Sequence, residues 1–276
     1  MIRIDEIVLT VNMNIIDSHV HLDMIERHHP SRIQWLKENA CSVVSWSFFE
    51  GVHSVSQLEG CLKSKALSMR KYFADGLVCH YLAGVHPRCI PPDLKPEQIG
   101  AMLNPYLDDP LCRGIGEIGL ETGDSREQEV FIAQLELGRS LLPHGKIIGV
   151  HTPRYNKLSV TKTTLEILDR FPDISSSLVV DHCTFETIAA VLDAGFWAGV
   201  TLSPAKTSWG EMKRIVSICS DRIDRIMCNT DSGIAFFEDM VQYSRSDDLP
   251  EAIREKLFYL NAARFFTIHQ PILEQP

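Results

Sequence analysis

Lys146-Ile-Ile-Gly-Val-His151 is a run of strand length, apolar almost throughout, that stops on an imidazole. Leu178-Val-Val-Asp-His182 has the same form. A continuous apolar run, in place of alternating apolar and polar residues, marks a strand buried on both faces, as happens when helices cover a parallel sheet. Working outward from these two, further runs of this kind lie at Ile15–Ile16, Cys41–Phe49, Leu77–Val85, Cys112–Ile118, Phe196–Leu202 and Ile223–Cys228. Eight such runs separated by helical patterns predict an α/β fold, a (β/α)8 barrel of the TIM type. The barrel is expected to form one domain over 13–276, with residues 1–12 as an N-terminal extension.

Between the runs, Ser125-Arg-Glu-Gln128 reads as a capping box opening a helix that carries Phe131, Leu135 and Leu142 on one face and stops at Pro143. Pro96–Leu107, Thr161–Arg170, Thr184–Ala194, Trp209–Cys219 and Pro250–Phe266 are predicted as further helices. At 276 residues the chain suits a single barrel, and 45% hydrophobic residues are enough for a large core. A formal charge of −9 argues against a broad basic face, so a nucleic acid would have to be met by metal ions and a few local cations. The eight cysteines show no C-x-x-C spacing, which speaks against a disulfide framework. With no signal peptide or membrane-spanning run in view, the expected location is cytoplasmic, with no membrane and no protein partner implied.

The chemistry follows from what stands at the strand ends. His19 and His21, two residues apart in an extended Asp17-Ser-His-Val-His-Leu-Asp23, present two imidazoles to one side. Alone, a His-x-His is more simply two polar residues at a strand end. His151 and His182 occupy the same position on other strands, which strengthens the pair. Glu117 sits in Gly114-Ile-Gly-Glu-Ile-Gly119, where burying an unpaired carboxylate would cost several kcal/mol unless a cation offsets it. The glycines there do not fit a phosphate-binding G-x-G-x-x-G. Asp231 follows the strand-like Arg225-Ile-Met-Cys-Asn, and by itself would serve as a helix N-cap. Together, His19, His21, Glu117, His151, His182 and Asp231 are a donor set for two divalent metal ions, zinc first, with manganese, cobalt or nickel as alternatives.

These motifs, with Gly84-Val-His-Pro87, Gly116-Glu-Ile-Gly-Leu120, Gln128 and Gln134 leading into His151-x-x-Arg154, Thr230-Asp-Ser232 and Asn261-Ala-Ala-Arg-Phe265, resemble those of the TatD-related metal-dependent hydrolases of the amidohydrolase superfamily. The likeness runs from Met13 to about Phe266. It implies a distorted barrel with two metals bridged by Glu117, the His19–His21 pair and Asp231 on one metal and His151 and His182 on the other. The chain departs from the family in Glu121-Thr122, where Asp and an aromatic residue are common, and in Gly233, where Pro is common.

The donor set predicts hydrolysis of ester bonds by a metal-activated water, with phosphodiesters first, as in a TatD-like deoxyribonuclease or phosphoesterase. Asp231 and Glu117 are the candidate catalytic residues, Asp231 shuttling the proton. His86 and Arg154 are candidates for gripping the anionic part of a small-molecule or nucleic-acid-end substrate. Hydrolysis of C–O or C–N bonds in a small carboxylate, lactone or amide is the alternative, and an inactive metal-binding scaffold is the alternative of another class. Asp17 and Asp181 are read as structural supports, and Asn261 and Arg264 as locks on the last helix.

Overall fold

The computed structural model describes residues 14–268; the expected extension at 1–12 lies outside the described residues. Eight strands follow in order: β1 Ile15–Val20, β2 Cys41–Ser45, β3 Cys79–Ala83, β4 Cys112–Gly119, β5 Ile147–His151, β6 Leu178–Val180, β7 Trp197–Thr201 and β8 Ile226–Asn229. Each pairs in parallel with the next, in the spatial order β1 to β8, with helices in the connections. The fold is a (β/α)8 barrel.

Alternation along the strands divides the core. Ile16, Val44, Leu82, Ile147, Val179 and Met227 form one buried cluster with Ala262, Phe265 and Phe266 of the last helix. Their neighbours Ile15, Val43, Ala83, Ile148, Val180 and Cys228 belong to the larger cluster shared with the surrounding helices. Period-two geometry sends successive side chains to opposite faces, so a strand buried on both sides needs apolar residues at every position. Helix Asn261–Phe266 is fastened by Asn261, whose Nδ2 donates to the carbonyls of Ile223 at 2.8 Å and Ile226 at 2.7 Å. Arg264 bonds the carbonyl of Asp224. Both act as the expected locks.

The seam between β8 and β1 is closed at the mouth of the barrel. His21 N donates to Ser232 O at 2.7 Å and Asp231 N donates to His19 O at 2.9 Å. Asp17 adds a second clasp, accepting from Thr230 N at 3.0 Å and Thr230 Oγ1 at 2.6 Å. The residues that close the ring are thus three of the candidate donors, His19, His21 and Asp231, and their near neighbours, which couples the shape of the site to closure of the fold.

Two local expectations are corrected. The cap of helix Ser125–Ser140 is Asp124, whose Oδ1 accepts from Glu127 N at 2.9 Å; Ser125 already lies inside the helix. Glu127 then turns its carboxylate back to accept from the N–H groups of Glu121, Thr122 and Gly123 at 2.9, 2.8 and 2.8 Å. A carboxylate is the stronger acceptor for three clustered donors, so the cap moves one residue toward the N-terminus. His21 is not in extended strand but is the N-cap of helix Leu22–His28, with φ −114° and ψ 81°. The long helix Val55–Ala74 has no counterpart among the predicted helices. Its buried face includes Lys65, which interrupts the apolar pattern yet is satisfied by Ser45 Oγ at 2.7 Å, Trp46 O at 2.8 Å and Asp23 Oδ1 at 3.2 Å.

Candidate metal centre

All six predicted donors meet at the C-terminal mouth of the barrel. Glu117, 2% exposed, stands at their centre. Its two oxygens face different partners. Oε1 lies 2.7 Å from His151 Nδ1 and 3.3 Å from His182 Nε2, while Oε2 lies 3.3 Å from His19 Nε2 and 3.8 Å from His21 Nε2. Asp231 Oδ1 joins the second half, 3.0 Å from His21 Nε2 and 3.6 Å from His19 Nε2. One carboxylate therefore divides the imidazoles into two pairs.

Backbone turns at the strand ends aim two of the donors. His182 and Asp231 have φ of 58° and 54°, a left-handed conformation that costs a non-glycine residue on the order of 1 kcal/mol or more. Each is held there by its surroundings. Lys157 Nζ donates to His182 O at 2.8 Å and to Thr152 O at 3.0 Å, and Cys183 N donates to Gly199 O at 2.9 Å. Asp231 is fixed between Thr230, bonded to Asp17, and Ser232, bonded to His21.

The outer nitrogens are tied to the frame. His19 Nδ1 donates to Asp181 Oδ2 at 2.5 Å, His21 Nδ1 donates to the Trp46 carbonyl at 3.2 Å, and His182 Nδ1 lies 2.7 Å from Thr201 Oγ1. In these three the Nε2 edge turns inward, where a ligating nitrogen must offer a lone pair. Asp181, read from sequence only as a support, is itself held by Asn229 Nδ2 at 2.8 Å. A Cβ on Gly199 would fall 2.0 Å from Asp181 Oδ1. Gly199→Ala should accordingly displace Asp181, lowering stability by about 1–3 kcal/mol and weakening metal retention through His19. Denaturant unfolding and metal content check this; an unchanged midpoint would mean the carboxylate has room to move.

Charge in the cluster is frustrated. Burial opposes a proton on His19, but Glu117 and Asp181 outweigh it and push the imidazole up to about 10. Burial works against ionisation of Glu117 too, yet the surrounding imidazoles hold it well below the usual carboxylate range. His19 Nε2 and Glu117 Oε2 are both buried without a hydrogen-bond partner. Two orphaned buried atoms, 3.3 Å apart in a ring of nitrogen and oxygen donors, are what divalent ions would satisfy by accepting a lone pair from each. The residues fit the metals that the donor chemistry implies.

His86 is placed differently. Its Nε2 is 3.5 Å from Glu117 Oε1, close enough to group with Glu117 and His151 as a donor set. Its Nδ1, however, accepts from Arg88 N at 3.0 Å, so the neutral ring carries its proton on Nε2 and turns an N–H into the cavity. Burial, with help from His151, pulls its pKa down to about 4 and keeps it neutral. His86 is built to donate a hydrogen bond.

Sequence reasoning missed Lys206, five residues beyond the end of β7. Its Nζ is 2.5 Å from Asp231 Oδ2 and 3.1 Å from His182 Nδ1. No spacing rule announces it, because the Ser203–Thr207 turn, where Lys206 N donates to Ser203 O, folds it back over the site. Burial and then Lys206 hold His182 down at about 4. The cavity above the cluster has a volume of about 1020 Å³, and Arg88, Arg154, Lys157, Lys206 and Arg214 are on its walls. Arg154 reaches the cavity but bonds none of the six donors.

A family model described as TatD related DNase matches residues 16–260. A solved structure of a TatD-like protein from Archaeoglobus fulgidus is 31% identical, with 92% of this chain and 100% of that one covered and a TM-score of 0.71. An uncharacterised metal-dependent hydrolase of Methanocaldococcus jannaschii is 29% identical over 130 residues, 47% of this chain, and the match spans 49% of that relative's length. A 5-carboxyvanillate decarboxylase from Sphingomonas paucimobilis is similar in fold alone, at 12% identity, 93% and 100% coverage and a TM-score of 0.63.

Proposed function

The chain belongs to the TatD related DNase family, and from that premise we propose that it is a metal-dependent hydrolase of phosphate esters, phosphodiesters first. The observation that carries this reading is the division of labour at Glu117, one oxygen toward His19 and His21 and the other toward His151 and His182. His19, His21 and Asp231 would hold one ion, His151 and His182 the second, and Glu117 both. Zinc suits the mixed imidazole and carboxylate donors best, with manganese, cobalt or nickel as alternatives. When bound, such a pair supplies Lewis-acid polarisation and a water acidified toward neutrality.

The protein's own groups do the rest. Asp231, kept anionic against burial by Lys206 and three imidazoles, accepts the proton of the attacking water and passes it to the leaving group. His86 offers its Nε2 proton to a non-bridging oxygen. Arg154, on the cavity wall, brings a planar fork suited to phosphate. The eight free thiols, seven of them buried, agree with a reducing, cytoplasmic setting. No helix among the described residues is long and apolar enough to cross a membrane.

Arg154→Ala should raise KM for phosphate-bearing substrates about tenfold with kcat little changed, the loss of one charge-assisted contact. Steady-state kinetics on a charged and an uncharged ester checks it, and identical constants on both would remove Arg154 from the substrate site. The function itself is tested by a turnover screen of phosphodiesters, phosphomonoesters, lactones and N-acyl compounds, before chelation, after chelation and after adding zinc or manganese back. Phosphodiester turnover that vanishes and returns supports the reading. Preference for a lactone or amide replaces the substrate class, and no turnover in any state points to a binding scaffold.

A further inference from the structure

His151 is reversed relative to the other three candidate imidazole ligands. His19, His21 and His182 turn Nε2 inward, whereas His151 turns Nδ1 toward Glu117 and sends Nε2 outward. What receives that outward nitrogen is Glu121, whose Oε2 lies 2.9 Å away. Resting on the two-ion reading above, we propose that Glu121 is the positioning residue of the second metal site. It fixes the His151 ring with its proton on Nε2 and its lone pair on Nδ1, and makes the ion on that side the exchangeable one.

Three observations carry this. A carboxylate only accepts, and both edges of the His151 ring face one, Glu117 at Nδ1 and Glu121 at Nε2; an ion seated on the Glu117 side would take the Nδ1 lone pair and leave the Nε2 proton to bond Glu121. Glu121 is presented on a stiff loop, because the Glu127 carboxylate receives the N–H groups of residues 121, 122 and 123. A pre-set anchor orients a ring without paying for its own ordering. Finally, the supports on the two sides differ in exposure. Asp181, behind His19, has a side chain 1% exposed, while that of Glu121 is 22% exposed and lies on the cavity wall. The Glu121 bond thus faces the cavity while the Asp181 bond is sealed behind the site, so of the two ring supports only the one behind His151 is open to solvent.

Zinc titration of the metal-free full-length protein by calorimetry, with Glu121→Ala and Glu121→Gln alongside, tests the proposal. The wild type should bind in two steps. Glu121→Ala should weaken the looser step by about 10- to 100-fold and leave the tighter step in place, the range typical for losing the partner of a ligating histidine. Glu121→Gln, whose amide oxygen still accepts, should recover part of the loss. Nitrogen-15 spectra of the zinc-loaded, histidine-labelled wild type should find zinc on Nδ1 of His151 and on Nε2 of His19, with His151→Gln assigning the signal. Two steps untouched in Glu121→Ala, both steps weakened alike, or zinc on Nε2 of His151 would overturn the proposal and leave the two-ion reading standing. A wild type that takes up no zinc would sink both.

Discussion

Glu117→Gln should cost at least ~10³-fold in kcat/KM, because the swap removes the one charge both halves of the site share, and electrostatic stabilisation is commonly the largest catalytic contribution. The geometry makes the loss collective. Oε1 meets His151 and His182 while Oε2 meets His19 and His21, so an amide, with one oxygen and one NH2, can satisfy one pair and must oppose the other. Bound metal measured by atomic emission should fall from two equivalents to one or fewer, with the fold intact by circular dichroism. Two equivalents retained with near-normal turnover would mean that the carboxylate does not join the ions.

Asp231→Asn should separate chemistry from metal binding. Its oxygen is one donor beside two imidazoles, His19 and His21, so most of the metal should stay. The proton function has no substitute nearby, since Lys206, 2.5 Å from Oδ2, is a donor. The expected fall in kcat is ~10²- to 10⁴-fold, the span of general acid–base contributions. Metal content measured on the same sample should stay near that of the wild type. A variant keeping near-normal turnover would take the proton role away from Asp231.

The two predictions rest on parts of the site that were legible to different degrees. Glu117 could be identified before any coordinates, because a lone carboxylate among glycines and isoleucines has no inexpensive reason to be buried. So could the histidines at the ends of apolar runs. Lys206 could not, being delivered by a turn, and neither could the bond between Glu121 and His151, whose partners are 30 residues apart. Helix Val55–Ala74 was hidden by Lys65, whose partners Asp23, Ser45 and Trp46 come from other elements. The cap at Asp124 differed from the expected Ser125 because three loop N–H groups recruit Glu127.

By itself the sequence determined the barrel and singled out the six side chains that meet at its mouth, because strand burial and the cost of isolated buried charge are local properties that composition and spacing record. Only the tertiary structure decided which nitrogen each histidine turns inward, that His86 accepts from the Arg88 N–H and so turns a protonated edge to the cavity, and that Glu117 splits the cluster in two. Those are set by hydrogen bonds between strands, Asp181 to His19, Trp46 to His21, Arg88 to His86 and Glu121 to His151, and by left-handed turns at His182 and Asp231. A ring's orientation follows whatever its far edge touches, and that partner is chosen by the fold.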